Sequence, residues 1–364
     1  MQEPFLRPAH GGNLVWAASL AGCSPSAILD FSASINPLGP PQSALAAIQA
    51  SLSLLRDYPD PDYRQLRQAL SQHHQLPVEW ILPGNGSAEL LTWACRDLAA
   101  LPGTCLFTPA FGDYQRALAA FDATVVPCSL PQLTAALPDA TIPPHIFQPL
   151  PAQAGLLLNN PHNPTGKLFP IAEILPWLSR FALVVIDEAF MDFLPPPQQQ
   201  SLIEAVPAHP NLVILRSLTK FYSLPGLRLG YAIAHPDRLQ RWQQWRDPWS
   251  VNILAAEAAI AVLQDTAFQQ QTWDWLVPAR TQLFADLNRL PGLTPLPGAA
   301  NFLLVHSQTS VTQLQQQLLQ HRLLIRDCLS FPELGDCYFR VAVRTMAQND
   351  QLVAGLKAVL GAKD

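Results

Sequence analysis

Lysine is scarce in this chain. Only four occur among 364 residues, and Lys357 and Lys363 stand close to the C-terminus. Charged residues of all kinds make up 13 %, and the net charge of −5 comes without a run of one sign. That excludes the basic footprint of a nucleic-acid binder. No apolar run approaches the length of a membrane span, and "MQEPFLRPAH" lacks the apolar core of a secretory signal. The six cysteines show neither CxxC spacing nor a partnering histidine pattern. Reduced core thiols are therefore expected in place of disulfides or metal ligands. The expectation is a soluble, cytoplasmic protein that works without a metal.

What is abundant is apolar: hydrophobic residues reach 49 %. A chain of this length exceeds the size at which one core keeps growing, so about two domains are expected. The runs "TCLFTP", "ATVVPCS", "AGLLLNN", "FALVVIDEAF", "NLVILRSL" and "LGYAIA" read as strands. Several lack alternation, as strands buried on both faces do. Helical patterns such as "SAELLTWACRDLAAL" and "IAEILPWLSRF" fall between them, with Pro176 limiting the second to a short helix. Strands alternating with helices imply an α/β fold with a mostly parallel sheet. Proline clusters at "LPDATIPPHIFQPLPAQAG" and "FLPPPQQQ" read as surface connections. Beyond Pro236, long helical patterns precede strands at "NFLLVHS" and "CYFRVAVRT", which suggests a smaller α+β domain.

Against this background Lys220, in "SLTKFYSLPGLRLGY", stands out as a charge in an apolar segment. Such a lysine either snorkels to water or is used. Four other features fall at strand ends or helix starts, where open α/β sheets place ligands. "PGNGSAELL" leads glycines and Ser87 into a helix whose free N–H groups suit a phosphate. "NNPHNPTG" fixes a rigid turn around Asn163. Asp187 ends an apolar run and needs a positive or hydrogen-bonding partner to stay ionised. Arg326 and Arg340 offer bidentate forks for carboxylate or phosphate. Together they describe a site for a phosphorylated aldehyde on a pyridine ring, pyridoxal 5′-phosphate, captured through the amine of Lys220.

The ordered series "PGNGSAELL", "NNPHNPTG", "IDEAF" and "SLTKFYSLPGLRLGY" resembles the fold-type I pyridoxal-phosphate enzymes, and in spacing their histidinol-phosphate aminotransferase-like branch. The resemblance covers essentially the whole chain. It implies an arm at 1–40 that contributes to a small domain, a large cofactor-binding domain at 41–240 with a mostly parallel seven-stranded sheet, and a small domain at 241–364. It further implies that Lys220 binds the cofactor covalently, Asp187 keeps the ring nitrogen protonated and Asn163 bonds the ring hydroxyl. Gly86, Ser87, Ser217 and Arg228 would hold the phosphate. Phe111 or Tyr114 would lie on the ring face. Tyr58 resembles a tyrosine that reaches the phosphate from a neighbouring subunit, which implies a homodimer. Arg340 resembles the arginine that takes the substrate carboxylate.

One position departs from the branch: Phe190 stands where its aminotransferases commonly carry a tyrosine. "HGGN" at 10–13, followed by "ILDFSASINPLGPP", resembles members that decarboxylate O-phospho-L-threonine to 1-amino-2-propanol O-phosphate for cobalamin biosynthesis. His10, Asn36, Asn163, Arg326 and Arg340 would then surround the substrate. The alternatives are a histidinol-phosphate or other amino-acid aminotransferase, and a non-catalytic cofactor-binding protein. A serine–lysine hydrolase is also opened by SxxK at Ser217–Lys220, but its partner motifs SDN and KTG are missing.

Overall fold

The computed structural model describes residues 7–130, 147 and 150–361. The proline cluster around 137–149, the first six residues of the N-terminal arm and Lys363 lie largely or wholly outside them.

The strands are β1 (Leu29–Asp30), β2 (Ile81–Asn85), β3 (Thr104–Thr108), β4 (Val125–Ser129), β5 (Gly155–Asn159), β6 (Leu183–Asp187), β7 (Leu212–Ser217) and β8 (Leu229–Ala234). They continue with β9 (Leu293–Pro295), β10 (Phe302–Ser307), β11 (Leu323–Leu324), β12 (Arg326–Asp327) and β13 (Tyr338–Ala342). Seven form one sheet in the order β2-β8-β7-β6-β5-β3-β4. Only β8 runs against its neighbours. Central strands are buried on both faces, and their residues alternate between two cores. Leu156, Leu158, Val184, Ile186, Leu212 and Ile214 face one, while Leu157, Val185, Val213 and Leu215 face the other. Each such side chain contributes about 1.5–3 kcal/mol on leaving water.

β2 is not among the strands expected from the sequence. It contains Pro83 and Gly84, which weaken a strand signal, yet it lies at the sheet edge. Pro127 occupies the opposite edge strand, β4. An edge tolerates proline because no ladder bond depends on the missing N–H. The helix Thr266–Asn288 runs through Pro278.

The second sheet, β12-β13-β10-β9, is antiparallel, and the short pair β1–β11 ties the N-terminal segment to this part of the chain. Cys105 and Cys128 are joined as a disulfide between β3 and β4, which corrects the expectation of reduced thiols throughout. Neighbouring strands hold the two Cα atoms 6.1 Å apart, within the range a disulfide spans. No helix among the described residues is long and apolar enough to cross a membrane.

Candidate active site

Parallel strands β5, β6 and β7 end together, and the chain reverses its order of addition between β3 and β5. That is where open sheets leave a crevice. Asn159 and Asp187 are register partners at this edge, and Ser217 closes β7 beside them. Because β8 is reversed, its entry, with Arg228, returns to the same edge. A cavity of about 400 Å³ opens here. Of the residues singled out in the sequence, His10, Gly86, Ser87, Phe111, Tyr114, Asn163, Asp187, Ser217, Lys220, Arg228, Arg326 and Arg340 line it.

One end of the cavity is an anion cradle. The helix Gly86–Ala99 begins at Gly86, whose φ of 75° suits glycine, and no side chain caps its first turn. A Cβ on Gly86 would lie 2.6 Å from an Arg228 guanidinium nitrogen, so this glycine lets the arginine close on the helix start. Gly230 does the same for the strand, since a Cβ there would meet the Ser87 nitrogen at 2.4 Å. Ser217 Oγ lies 2.8 Å from Thr219 Oγ1 at the same end. Thr219 also lines the cavity and was not singled out in the sequence; its place one residue before Lys220 was the available signal.

Lys220 reaches the cavity from the short helix Leu218–Phe221. Its Nζ has no hydrogen-bonded or ion-paired partner among the described residues and sits 5.2 Å from the Phe190 ring centroid. Burial pushes the amine below the usual lysine range. Asp187 opposes that shift, while Arg228 and Arg340 reinforce it. Asp187 itself is raised by burial, against the lowering effects of Lys220, the Tyr114 hydroxyl and the Ala189 N–H. A buried carboxylate of this kind asks for a cationic partner within the cavity.

Asn163 accepts from Arg340 through Oδ1, which leaves its amide nitrogen as a donor without a partner among the described residues. Arg340 Nε is likewise buried and unpartnered, and burial lowers this guanidinium to about 10. Arg326 stands directly opposite Arg340 on β12 and β13. Cross-strand like charges destabilise a sheet, and neither guanidinium has an acidic partner among the described residues. Arg326 is held by the Ala9 carbonyl and Ser330 Oγ. Two adjacent, half-satisfied cations facing one cavity are built for anions.

One expectation needs correction, and one alternative narrows to Phe111. Asn36 does not line the cavity: its amide donates to the Phe221 carbonyl (2.8 Å) and Thr272 Oγ1 (2.9 Å), and its Oδ1 accepts from the Leu38 N–H. Those bonds make it a brace beneath the lysine segment. Tyr114 is not laid out as a stacking ring, because its hydroxyl donates to Asp187 Oδ2 at 2.8 Å. Phe111 packs edge-on to Tyr114 and lies 5.6 Å from the His10 ring. Tyr58 is 79 % exposed and stacks on Trp249 at 4.4 Å, away from this chain's own cavity.

The residues present fit pyridoxal 5′-phosphate, with a cradle for its phosphate, a carboxylate for its ring nitrogen and a free amine for its aldehyde. The family model for aminotransferase class I and II matches residues 26–356. Threonine-phosphate decarboxylase of Salmonella typhimurium is 42 % identical over 363 residues, covering 97 % of this chain and 96 % of that protein. The solved histidinol-phosphate aminotransferase of Clostridium acetobutylicum superposes with a TM-score of 0.84 at 26 % identity, covering 92 % of this chain and 100 % of that one. L-threonine-O-3-phosphate decarboxylase of Porphyromonas gingivalis superposes with a TM-score of 0.80 at 26 % identity, covering 91 % and 99 %. The chain belongs to the class I and II aminotransferase family, a family of pyridoxal-phosphate enzymes.

Proposed function

We propose that the protein is a pyridoxal-phosphate-dependent decarboxylase that converts O-phospho-L-threonine to 1-amino-2-propanol O-phosphate for cobalamin biosynthesis. The observation that carries the substrate reading is the opposed pair Arg326 and Arg340. A substrate with a carboxylate and a phosphate neutralises both.

When bound, pyridoxal 5′-phosphate supplies an electron sink for whichever bond at the substrate α-carbon stands perpendicular to its ring. Gly86, Ser87, Ser217 and Arg228 would hold its phosphate, Asn163 would offer an N–H to the ring oxygen, and Asp187 would face the ring nitrogen. Lys220 would provide the amine for the cofactor aldehyde, and its Nζ would hold the proton delivered to the substrate α-carbon. Arg340 and Arg326 hold the two substrate anions, and that fixes which α-carbon bond is presented. Phe190 gives Lys220 an apolar wall without a competing hydroxyl. The test is a comparison of kcat/KM for O-phospho-L-threonine alone and for histidinol phosphate with a keto acid. Preference for the second pair would replace the decarboxylase reading by an aminotransferase.

The segment from Arg7 to Asn13 supports a strap over the substrate. Arg7 pairs with Asp327 at 2.9 Å, Arg326 holds the Ala9 carbonyl, and Gly11 lies so close to Ser32 that a Cβ would meet its carbonyl oxygen at 2.2 Å. His10 is thereby held at the cavity wall. A hydrogen bond to a charged group contributes about 1.5–3 kcal/mol, so His10→Ala is expected to raise KM roughly 10- to 100-fold. The cofactor absorption should stay unchanged; its loss would remove His10 from the substrate set.

We also propose a division into an arm at 1–40, a cofactor domain at 41–240 and a small domain at 241–364, and a cytoplasmic homodimer. Leu45, Leu52, Leu54, Leu55, Tyr58 and Trp249 are exposed apolar or aromatic side chains, most of them within one stretch. Such a surface calls for a partner. A second copy seated there would carry Tyr58 toward the neighbouring cradle. Leu55→Asp is expected to shift the sedimentation coefficient toward the monomer, and an unshifted dimer would place the interface elsewhere.

A further inference from the structure

Asp187 ends β6 with both carboxylate oxygens engaged. Oδ1 accepts the Ala189 N–H at 3.0 Å, and Oδ2 accepts the Tyr114 hydroxyl at 2.8 Å. Tyr114 comes from a separate element, the helix Gly112–Ala119 that follows β3. Its ring is buried among the apolar side chains on that face of the sheet and braced edge-on by Phe111 at 5.6 Å. Among the described residues no other side chain hydrogen-bonds to the Asp187 carboxylate; the Asn159 amide donates to the Asp187 backbone carbonyl instead. Lys220 lies near enough to act through its charge but makes no bond to the carboxylate.

We propose that Tyr114 is a positioning residue that acts through Asp187, aiming the carboxylate at the cofactor ring nitrogen and weakening its hold on the shared proton. This rests on the reading of Asp187 as the partner of that nitrogen. A donor aimed at a carboxylate favours its charged form. With the donor in place, the proton of the pair stays on the ring nitrogen, where it strengthens the electron sink; without it, Asp187 becomes the better base and draws the proton back. Tyr114 remains a donor throughout, because burial and the Asp187 carboxylate push its own ionisation well above the usual range. The other groups facing Asp187 are Lys220 after β7, Asp113 beside Tyr114, and the cavity-wall residues His10, Arg228, Arg326 and Arg340. None replaces a hydroxyl at Oδ2.

The test uses the holoenzyme carrying pyridoxal phosphate labelled with ¹⁵N in the ring. In Tyr114→Phe the ring-nitrogen resonance is expected to move from the pyridinium toward the pyridine position. A higher Asp187 pKa means protonation at higher pH, so the acid limb of the kcat profile is expected to rise by about one to two pH units. 3-Fluorotyrosine placed at Tyr114 keeps the ring and strengthens the donor, so it should shift both readouts the opposite way. A role confined to packing would change apo-protein Tm and leave the resonance and the limb in place, and that result overturns the proposal. Asp187→Asn separates the two layers. If it abolishes the pyridinium signal while Tyr114→Phe has no effect, only the role of Tyr114 falls. If the signal survives in Asp187→Asn, the reading of Asp187 falls with it.

Discussion

Lys220→Ala is expected to lower kcat by about 10⁴-fold or more, the scale at which a positioned proton carrier and nucleophile contribute. The same variant should lose covalent capture. After borohydride reduction the intact mass of the native chain gains the cofactor, while that of Lys220→Ala does not. Folding should be little affected, within about 1 kcal/mol, because the amine has no hydrogen-bonded partner to lose. The burial that depresses the amine also sets a pH dependence. A lowered pKa leaves the neutral, nucleophilic form available at lower pH than for an exposed lysine, so capture should persist below the range where ordinary lysines are fully protonated. Retained mass labelling in Lys220→Ala would assign the covalent role to another amine.

The second large effect is expected at Arg340. Truncating one partner of a buried, charge-assisted contact costs about 2–5 kcal/mol, so Arg340→Ala should reduce kcat/KM for O-phospho-L-threonine roughly 30- to several-thousand-fold. Arg340→Lys should recover little, because an ammonium has no planar fork to span a carboxylate. The Asn163 contact would be lost as well, so some of the effect will appear as disorder of the "NNPHNPTG" turn. Cofactor absorption in the absence of substrate should remain near that of the native protein. A variant with unchanged KM and kcat would remove Arg340 from the substrate set and leave Arg326 to act alone.

Much of the architecture was legible because the central strands β3, β5, β6, β7 and β8 are short, apolar and separated by turn residues. β2 was not, because an edge strand can contain proline and glycine, which weaken the strand pattern. The site residues followed from motif chemistry at strand ends: Asp187, Ser217 and Lys220 come together because the parallel neighbours β6 and β7 end at the same edge of the sheet. Side-chain partners were harder. Nothing in "TPAFGDY" distinguishes a tyrosine lying on a cofactor ring from one pointing its hydroxyl at a carboxylate 73 positions away. Asn36 misled for the same reason, since a buried asparagine that braces Phe221 and Thr272 has the residue type of a ligand contact. The opposed arginines were visible only as two separate residues; β12 and β13 had to pair before their shared face appeared.

The most direct measurement follows O-phospho-L-threonine labelled with ¹³C at the carboxylate through many turnovers of the holoenzyme. The account predicts one ¹³CO₂ released for each 1-amino-2-propanol O-phosphate formed, with the cofactor remaining in its lysine-bound form. Accumulation of pyridoxamine phosphate without ¹³CO₂, reversed by a keto acid, would contradict it and make the protein a transaminase.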